Sequence, residues 1–502
     1  MRLKYLSYLM IVLLSVSCAS RKPVQRHIEM HPKREFRGAW IQAVNGQFTG
    51  MGEQKMKKYL TEMLDNLQKV NVNAVIFQVR AEGDALYESH YEPWSRFLTG
   101  VQGKSPGWDP LAFMVDECHK RNMELHAWII PYRARTKGTT KVAANHSSVK
   151  NPQNFIKYEG QLYFNPALQA NRDHICGIVR DILYRYDVDG LHIDDYFYPY
   201  PVAGKEFADD KWFKSSAEDD KDGWRRENVN ELICQLHRTV RDVKPWVKFG
   251  VSPFGIYRNE NSWEFGSETN GLQCYDDLYA DVLYWIEQGW VDYCIPQIYW
   301  EIGHKAADYE TLVKWWAKYA SGRPLYIGQD VQRTVKAKDE ASPTGNQQVE
   351  KYVLQREQAN VQGSCFWDAA SAANNVDGYR DYLAEGMFRY PALMPLYDFI
   401  DDKAPAKVDG VELIEEMGDR VLVWLVDKKA GRDVMNAPHR YVVYCFAKGE
   451  KVDLEKAGNI MAITSKPYYK LPARMWGKYT FVVTVLDRMQ NESKGRKCKV
   501  KL

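Results

Sequence analysis

The chain has no excess of charge of one sign: 68 Lys and Arg stand against 65 Asp and Glu, for a formal net charge of +3. Without a basic stripe to neutralise a phosphate backbone, nucleic acid is not an expected partner. It has no CxxC pair. Beyond Cys18, the cysteines (Cys118, Cys176, Cys234, Cys274, Cys294, Cys365, Cys445 and Cys498) are scattered, which excludes a structural zinc site of the usual spacing. An oxidising compartment would permit disulfides but the spacing dictates no pairing. Cys176, Cys294 and Cys365 sit in apolar runs and read as buried free thiols. No glycine-rich phosphate fingerprint follows the first strand-like run, which argues against a dinucleotide-binding open sheet. After the N-terminal segment, no stretch is apolar enough to span a bilayer.

What is abundant is aromatic: 13% of residues, with 16 Trp and 32 Tyr. Such rings either fill a large core or stack on the apolar faces of sugar rings while offering polar edges to hydroxyls; their positions must decide. The N-terminus reads as a targeting segment. Arg2 and Lys4 precede an apolar stretch from Leu6 to Val16, which ends at Ser15-Val16-Ser17-Cys18-Ala19-Ser20. That ending resembles a bacterial lipobox with Cys18 as the acylated residue, although Ser15 stands where a large aliphatic residue is usual and Leu14 lies one place further back. The expectation is a lipoprotein signal peptide over 1–18, a linker over 19–32, and a lipid-anchored location at the cell envelope. The oligomeric state is open.

Eight runs read as buried strands: Phe36–Val44, Ala74–Arg80, Glu124–Arg133, Gly190–Tyr198, Lys248–Gly255, Asp292–Trp300, Pro324–Val331 and Gly363–Ala370. Helical periodicity lies between several of them. Tyr59, Leu60, Met63, Leu64, Leu67 and Val70 recur at three and four residues, as do Leu111, Met114, Val115 and Cys118 after an Asp109-Pro110 start signal. Alternating strands and helices imply a parallel sheet, and eight repeats close most naturally as an α/β TIM barrel, (β/α)8, over 33–390. The Pro- and acid-rich 391–406 reads as a linker. Period-2 runs at Val411–Ile414, Arg420–Val426, Arg440–Phe446 and Tyr479–Leu486 then predict a small all-β, immunoglobulin- or fibronectin-like sandwich over 407–502, in a spacing or supporting role. The acidic stretch 209–222 reads as a solvated loop.

The strands start apolar and end polar or aromatic. Gln78 and Arg80 close the second, Tyr132 and Arg133 the third, and Asp194 and Asp195 the fourth. Gln297, Tyr299, Trp300 and Glu301 close the sixth, Gln329 and Asp330 the seventh, and Trp367 and Asp368 the eighth. In this barrel type the C-terminal strand ends build the active site. Adjacent carboxylates such as Asp194 and Asp195 are costly at a barrel mouth unless hydrogen-bonded or singly protonated, and that pressure separates their pKa values. His192, Tyr196, Arg80 and Arg133 are candidate tuners. No metal and no cofactor are expected: His192, Asp194 and Asp195 alone do not supply a ligand spacing.

FRGAWIQAV at Phe36, the ALY at Ala85 after QVRAEGD, the block from Gly107 to Arg133 and GLHIDDYFYP at Gly190 together resemble the glycosyl-hydrolase-like family ten, over roughly residues 33 to 385. The resemblance implies a TIM-barrel glycoside hydrolase of the bacterial envelope, some relatives acting on the glycan strands of peptidoglycan. Two mechanisms fit. Either Asp194 is a nucleophile and Glu301 or Asp330 the acid, or the doublet serves substrate assistance, one Asp orienting the acetamido group of an amino sugar while the next donates the proton. The fifth strand end, Ser252-Pro253-Phe254-Gly255, has no carboxylate where an amylase-type acid would stand, which favours the second. The rival is a non-catalytic glycan-binding lipoprotein on a degenerate barrel. Bland readings stand beside the sharp ones. Asp195 could cap a helix, His192 could be packing, and Arg80 could pair with Asp84 or Glu82, Asp84 being otherwise a ligand. Trp40 and Trp128 lie mid-strand and read as core, whereas Trp300 and Trp367 read as sugar platforms.

Overall fold

Runs such as AVIFQVR at Ala74 offer no polar face, so both sides of the strand must be covered, as in an all-parallel sheet flanked by helices. The computed structural model, which describes residues 30–426 and 433–502, shows that solution. The segment bearing Cys18 lies outside the described residues. Eight parallel strands close into a barrel: Phe36–Ile41, Ala74–Arg80, Glu124–Ile129, Gly190–Ile193, Lys248–Val251, Tyr293–Cys294, Leu325–Asp330 and Val361–Trp367, the eighth pairing with the first. Seven of the eight expected runs contain a barrel strand, and the eighth overlaps one that begins two residues earlier, at Val361. The polar tails assigned to them lie mostly in the loops beyond.

The helices form where the periodicity placed them. Glu53–Gln68 buries Met56, Leu60, Met63, Leu64 and Leu67 against the barrel. Pro110–Lys120 starts at Asp109, whose carboxylate accepts from the Ala112 N–H at 3.0 Å. Two expectations need correction. The third strand stops at Ile129, and Arg133–Arg135 instead pairs with Gln161–Phe164, which pairs with Phe155–Tyr158 in a small antiparallel sheet above the barrel. Pro131 has no N–H to donate to a ladder, and the Arg80 guanidinium takes the Ile130 and Pro131 carbonyls. The stretch 209–222 is no plain solvated loop: Asp210–Ser216 is helical, and Asp209 is buried in a bidentate pair with Arg225 at 2.7 and 2.8 Å.

Inside the barrel, strand alternation sends Phe36, Trp40, Ile76, Trp128, Tyr293 and Tyr326 to the axis, where Phe36 and Tyr326 stack with ring centroids 4.1 Å apart. The C-terminal domain has two antiparallel sheets. Gly410–Glu416, Asp419–Leu425 and Tyr468–Lys470 form one; Ile460–Thr464, Arg440–Ala447, Lys478–Leu486 and Arg496–Lys501 form the other. Period-2 reading missed three of these, because Ile460–Thr464, Tyr468–Lys470 and Arg496–Lys501 are short or charged edge strands.

This domain closes the end of the barrel where the strands begin. Lys248, first residue of the fifth strand, donates to the Arg488 carbonyl at 3.1 Å, and Gln490 donates to Glu124, first residue of the third, also at 3.1 Å. Arg440 reaches the Asn122 carbonyl at 2.7 Å. Met489, fully buried, joins Met394 and Tyr397 in the apolar cluster at the barrel axis. The opposite end, where the strands finish, is therefore left open. Met489→Ala is expected to lower the unfolding free energy by about 2–5 kcal/mol, read from urea unfolding by tryptophan fluorescence. The same change at the exposed Met417 is expected to shift it by less than about 0.5 kcal/mol.

Candidate active site

A cavity of about 380 Å³ opens at the C-terminal strand ends, within the range of ligand pockets. Of the residues expected in a site, it is lined by Gln78, Arg133, Asp194, Asp195, Tyr196, Gln297, Tyr299, Trp300 and Trp367. Among the described residues, Asp194 and Asp195 are the only carboxylates in that lining.

The fourth strand explains the doublet. Leu191 and Ile193 pack outward among the helices, so His192 and Asp194 share the inward parity. Asp194 accepts from the Trp128 indole N–H at 3.1 Å and from the Tyr196 N–H at 3.4 Å. Asp195 accepts from the Tyr200 hydroxyl and is hydrogen-bonded by Gln297, whose Nε2 also donates to the Ser252 carbonyl at 2.8 Å. Burial first, and then the charge of Asp195, push Asp194 up to about 8, against the attraction of Arg133. Burial also raises Asp195, while Tyr200 and Gln297 pull it down. The pair therefore titrates together and holds a proton near neutral pH. The Tyr196 hydroxyl is pushed up by burial and by both carboxylates, so it remains a donor.

Arg133 lies over the Tyr196 ring, its guanidinium carbon 4.7 Å from the centroid, and its Nε donates to the Ala81 carbonyl at 3.1 Å. Its Nη2 is buried with no protein partner. Gln78 is similar: its Oε1 accepts from the Ala43 and Val44 N–H groups at 2.9 Å each, and its Nε2 is buried without a partner. Two donors thus stand unanswered in the wall beside the doublet. The rest of the wall is aromatic. Trp367 stacks on Tyr299 at 6.0 Å and meets Trp40 and Trp128 edge-on at 6.3 Å each, while Trp300 meets Phe254 at 5.6 Å.

Other expected site residues lie outside the lining. Arg80 makes a fully buried bidentate pair with Glu92, both contacts at 2.7 Å, rather than with Asp84 or Glu82. Asp84 is buried against the Glu82 N–H and Gln102, and burial, then Glu82, raises it to about 6. Tyr132 is buried with its hydroxyl 3.5 Å from the Asn228 carbonyl. Asp330 and Asp368 cap helices, accepting from the Arg333 and Ser371 N–H groups at 2.8 and 2.7 Å. Glu301 lies by the buried Lys351, whose pKa is lowered to about 7 by burial in spite of Asp330 and Glu301. His192 sits below the cavity floor on the barrel axis.

Sequence reasoning missed several lining residues. Trp40 and Trp128, read as core, are both buried and part of the wall, because the barrel interior continues into the cavity. Tyr200 lies just past the quoted GLHIDDYFYP run, and Ser252 was noted only for the carboxylate its strand end lacks. Among the described residues no group of three or more His, Cys, Asp or Glu is arranged to hold a metal ion.

The doublet has a stability signature. Folded, Asp194 keeps its proton from the ordinary 3.8 up to about 8, whereas the unfolded chain releases it, so stability falls as pH rises across that window. Asp194→Asn removes this titration. The variant's melting temperature is expected to gain on that of the native chain between pH 5 and pH 8; parallel pH profiles would contradict the assignment.

Residues 35–343 match the family described as Glycosyl hydrolase-like 10. The glycosyl hydrolase YngK of Bacillus subtilis (strain 168) is 38% identical over 476 residues, which cover 92% of this chain and 93% of that protein. The glycosyl hydrolase DigH of Escherichia coli (strain K12) is 40% identical over 283 residues, 54% of this chain and 64% of that protein. Among solved structures, α-L-fucosidase isoenzyme 2 from Paenibacillus thiaminolyticus superposes with a TM-score of 0.45 at 12% identity, covering 70% of this chain and 50% of that one. The chain belongs to the glycosyl hydrolase-like 10 family.

Proposed function

We propose that this protein is an exported glycoside hydrolase that cleaves a glycosidic bond beside an N-acetylated amino sugar, as in the glycan strands of peptidoglycan. The observation that carries the reading is that the adjacent pair Asp194 and Asp195 supplies the only carboxylates in the cavity lining among the described residues. A mechanism with a separate protein nucleophile needs a second carboxyl group across the cleft. The candidates for it, Glu301 and Asp330, stand outside the lining, and Asp330 caps a helix.

The doublet suits substrate assistance. An acetamido N–H placed against Asp194 favours the ionised form of that residue and leaves the shared proton to Asp195. The acetamido carbonyl oxygen attacks the anomeric carbon, the glycosidic C–O bond breaks, and the departing oxygen takes the proton from Asp195. Asp195, now a carboxylate, accepts a proton from the water that opens the cyclic intermediate, which restores both groups. Arg133 and Gln78 line the cavity beside the doublet, and the Trp40, Trp128, Tyr299 and Trp367 rings offer faces to the pyranose.

In this reading Cys18 carries the lipid anchor. Met30, the first described residue, lies beside the start of the first strand, where its carbonyl accepts from Arg356. Metabolic palmitate labelling is expected to disappear in Cys18→Ser, and labelling that persists would remove the anchor.

Asp195→Asn is expected to lower kcat by about 10²–10⁴-fold on an N-acetylated chito-oligosaccharide or on glycan strands stripped of peptides, measured by release of reducing ends. The thermal melt should be retained, and the native enzyme should leave the N-deacetylated oligosaccharide uncut. Turnover that survives Asp195→Asn overturns the mechanism. Binding without turnover in the native protein would favour a glycan-binding role instead.

A further inference from the structure

A line of buried polar side chains runs along the barrel axis from the cavity floor to the C-terminal domain, and the chemistry proposed above does not use it. At the top, His192 Nε2 lies 2.9 Å from the Ser252 hydroxyl and 3.3 Å from the Trp40 indole nitrogen. His192 Nδ1 lies 3.0 Å from the Tyr293 hydroxyl, which lies 2.7 Å from His126 Nδ1. His126 Nε2 is 3.0 Å from Glu124 Oε2. Glu124 Oε1 in turn accepts from Lys248 at 2.8 Å and from Gln490 of the C-terminal domain at 3.1 Å. Glu124, His126, His192, Tyr293 and Ser252 are all essentially excluded from solvent.

The polarity of the chain follows from its two ends. An indole N–H can only donate, so His192 Nε2 is the acceptor and its proton sits on Nδ1. That Nδ1–H donates to the Tyr293 oxygen, and the Tyr293 O–H must then point to His126 Nδ1. His126 is left with its proton on Nε2, which donates to the Glu124 carboxylate. One assignment serves every link, with His192 Nε2 sharing its single lone pair between the Trp40 N–H and the Ser252 O–H. Burial, followed by the neighbouring His126, holds His192 well below its ordinary pKa, which keeps it the neutral acceptor that this assignment requires.

The consequence reaches the cavity. Because His192 Nε2 accepts, the Ser252 hydroxyl donates downward and presents only lone pairs to the cavity it lines. The Trp40 ring is pinned by the same nitrogen. We infer that Glu124, His126, Tyr293 and His192 form a positioning chain that fixes Ser252 as a dedicated acceptor for a substrate hydroxyl or amide N–H and sets the plane of the Trp40 platform. Gln490 carries that chain into the C-terminal domain, which thereby acts on the site from the far end of the barrel. The inference rests on the cavity receiving a sugar.

The barrel has made room for this arrangement at a cost. Layers of branched aliphatic side chains ordinarily fill such an interior, and a buried polar chain is no more stable than an apolar filling of the same shape. Here a Cβ at Gly250 would fall 1.9 Å from the Tyr293 ring, and one at Gly190 2.5 Å from the His126 ring. Two strands have given up their side chains so that these rings fit.

The test begins with the native protein. In ¹⁵N-histidine spectra, His192 is expected as the Nδ1–H tautomer and His126 as the Nε2–H tautomer; His192 as Nε2–H overturns the chain, whatever the enzyme does. Tyr293→Phe keeps the ring and removes the link. It is expected to shift the Trp40 indole N–H signal and to weaken tri-N-acetylchitotriose binding about three- to tenfold. Ser252→Ala should weaken binding similarly in the native background and add nothing in Tyr293→Phe, a non-additivity that a merely structural role for Tyr293 does not produce. Additive losses overturn the positioning role. Since tautomers and binding are read without turnover, absence of hydrolysis would count against the proposed activity and leave this inference standing.

Discussion

Two carboxyl groups that are neighbours in sequence and buried at one cavity wall repel each other at a distance that no loop movement can relieve. Water cannot solvate both, so the surroundings must supply donors or one group must keep its proton. The cavity does both. Trp128 answers Asp194, Tyr200 and Gln297 answer Asp195, and Arg133 supplies the nearby positive charge. Those donors come from the third strand, the loops beyond the third, fourth and sixth strands, and a wall shared with the aromatic rings. The doublet can therefore exist only once the barrel has closed.

Closure also divides the labour between the barrel's ends. Where the strands begin, charges are paired and covered: Glu124 with Lys248, Asp189 with His119 at 2.8 Å, and Asp292 with Arg241. The C-terminal domain seals that end with Met489, Gln490 and Arg440. Where the strands finish, Gln78 Nε2 and Arg133 Nη2 have no protein partner. The C-terminal domain covers the one end, and the cavity opens at the other. Stability and ligand recognition thus occupy opposite poles of one barrel.

A given strand-end residue type did not announce its role. Asp330 and Asp194 both follow apolar strands, yet one turns back to cap the helix that starts at once, and the other faces an opening. The difference is the chain after each. A helix beginning at Val331 offers free N–H groups to Asp330, whereas the fourth strand runs on into a loop with few amides to answer. Arg80 ended its strand like a ligand, but Glu92, in the following loop, folds back to take the Nε–Nη2 edge of its guanidinium.

Local pattern by itself determined the eight strand–helix repeats, the change to period 2 after the barrel, and the carboxyl doublet at a strand end, since burial periodicity and side-chain type are properties of short segments. The long-range pairings came only with tertiary structure: the wall role of Trp40 and Trp128, the exclusion of Glu301 and Asp330 from the cavity, and the axial chain through His126, Tyr293 and His192. Each depends on which strand lies beside or across from which and on the direction a side chain takes after its strand ends. That is set by closing the sheet on itself, an event no single segment contains.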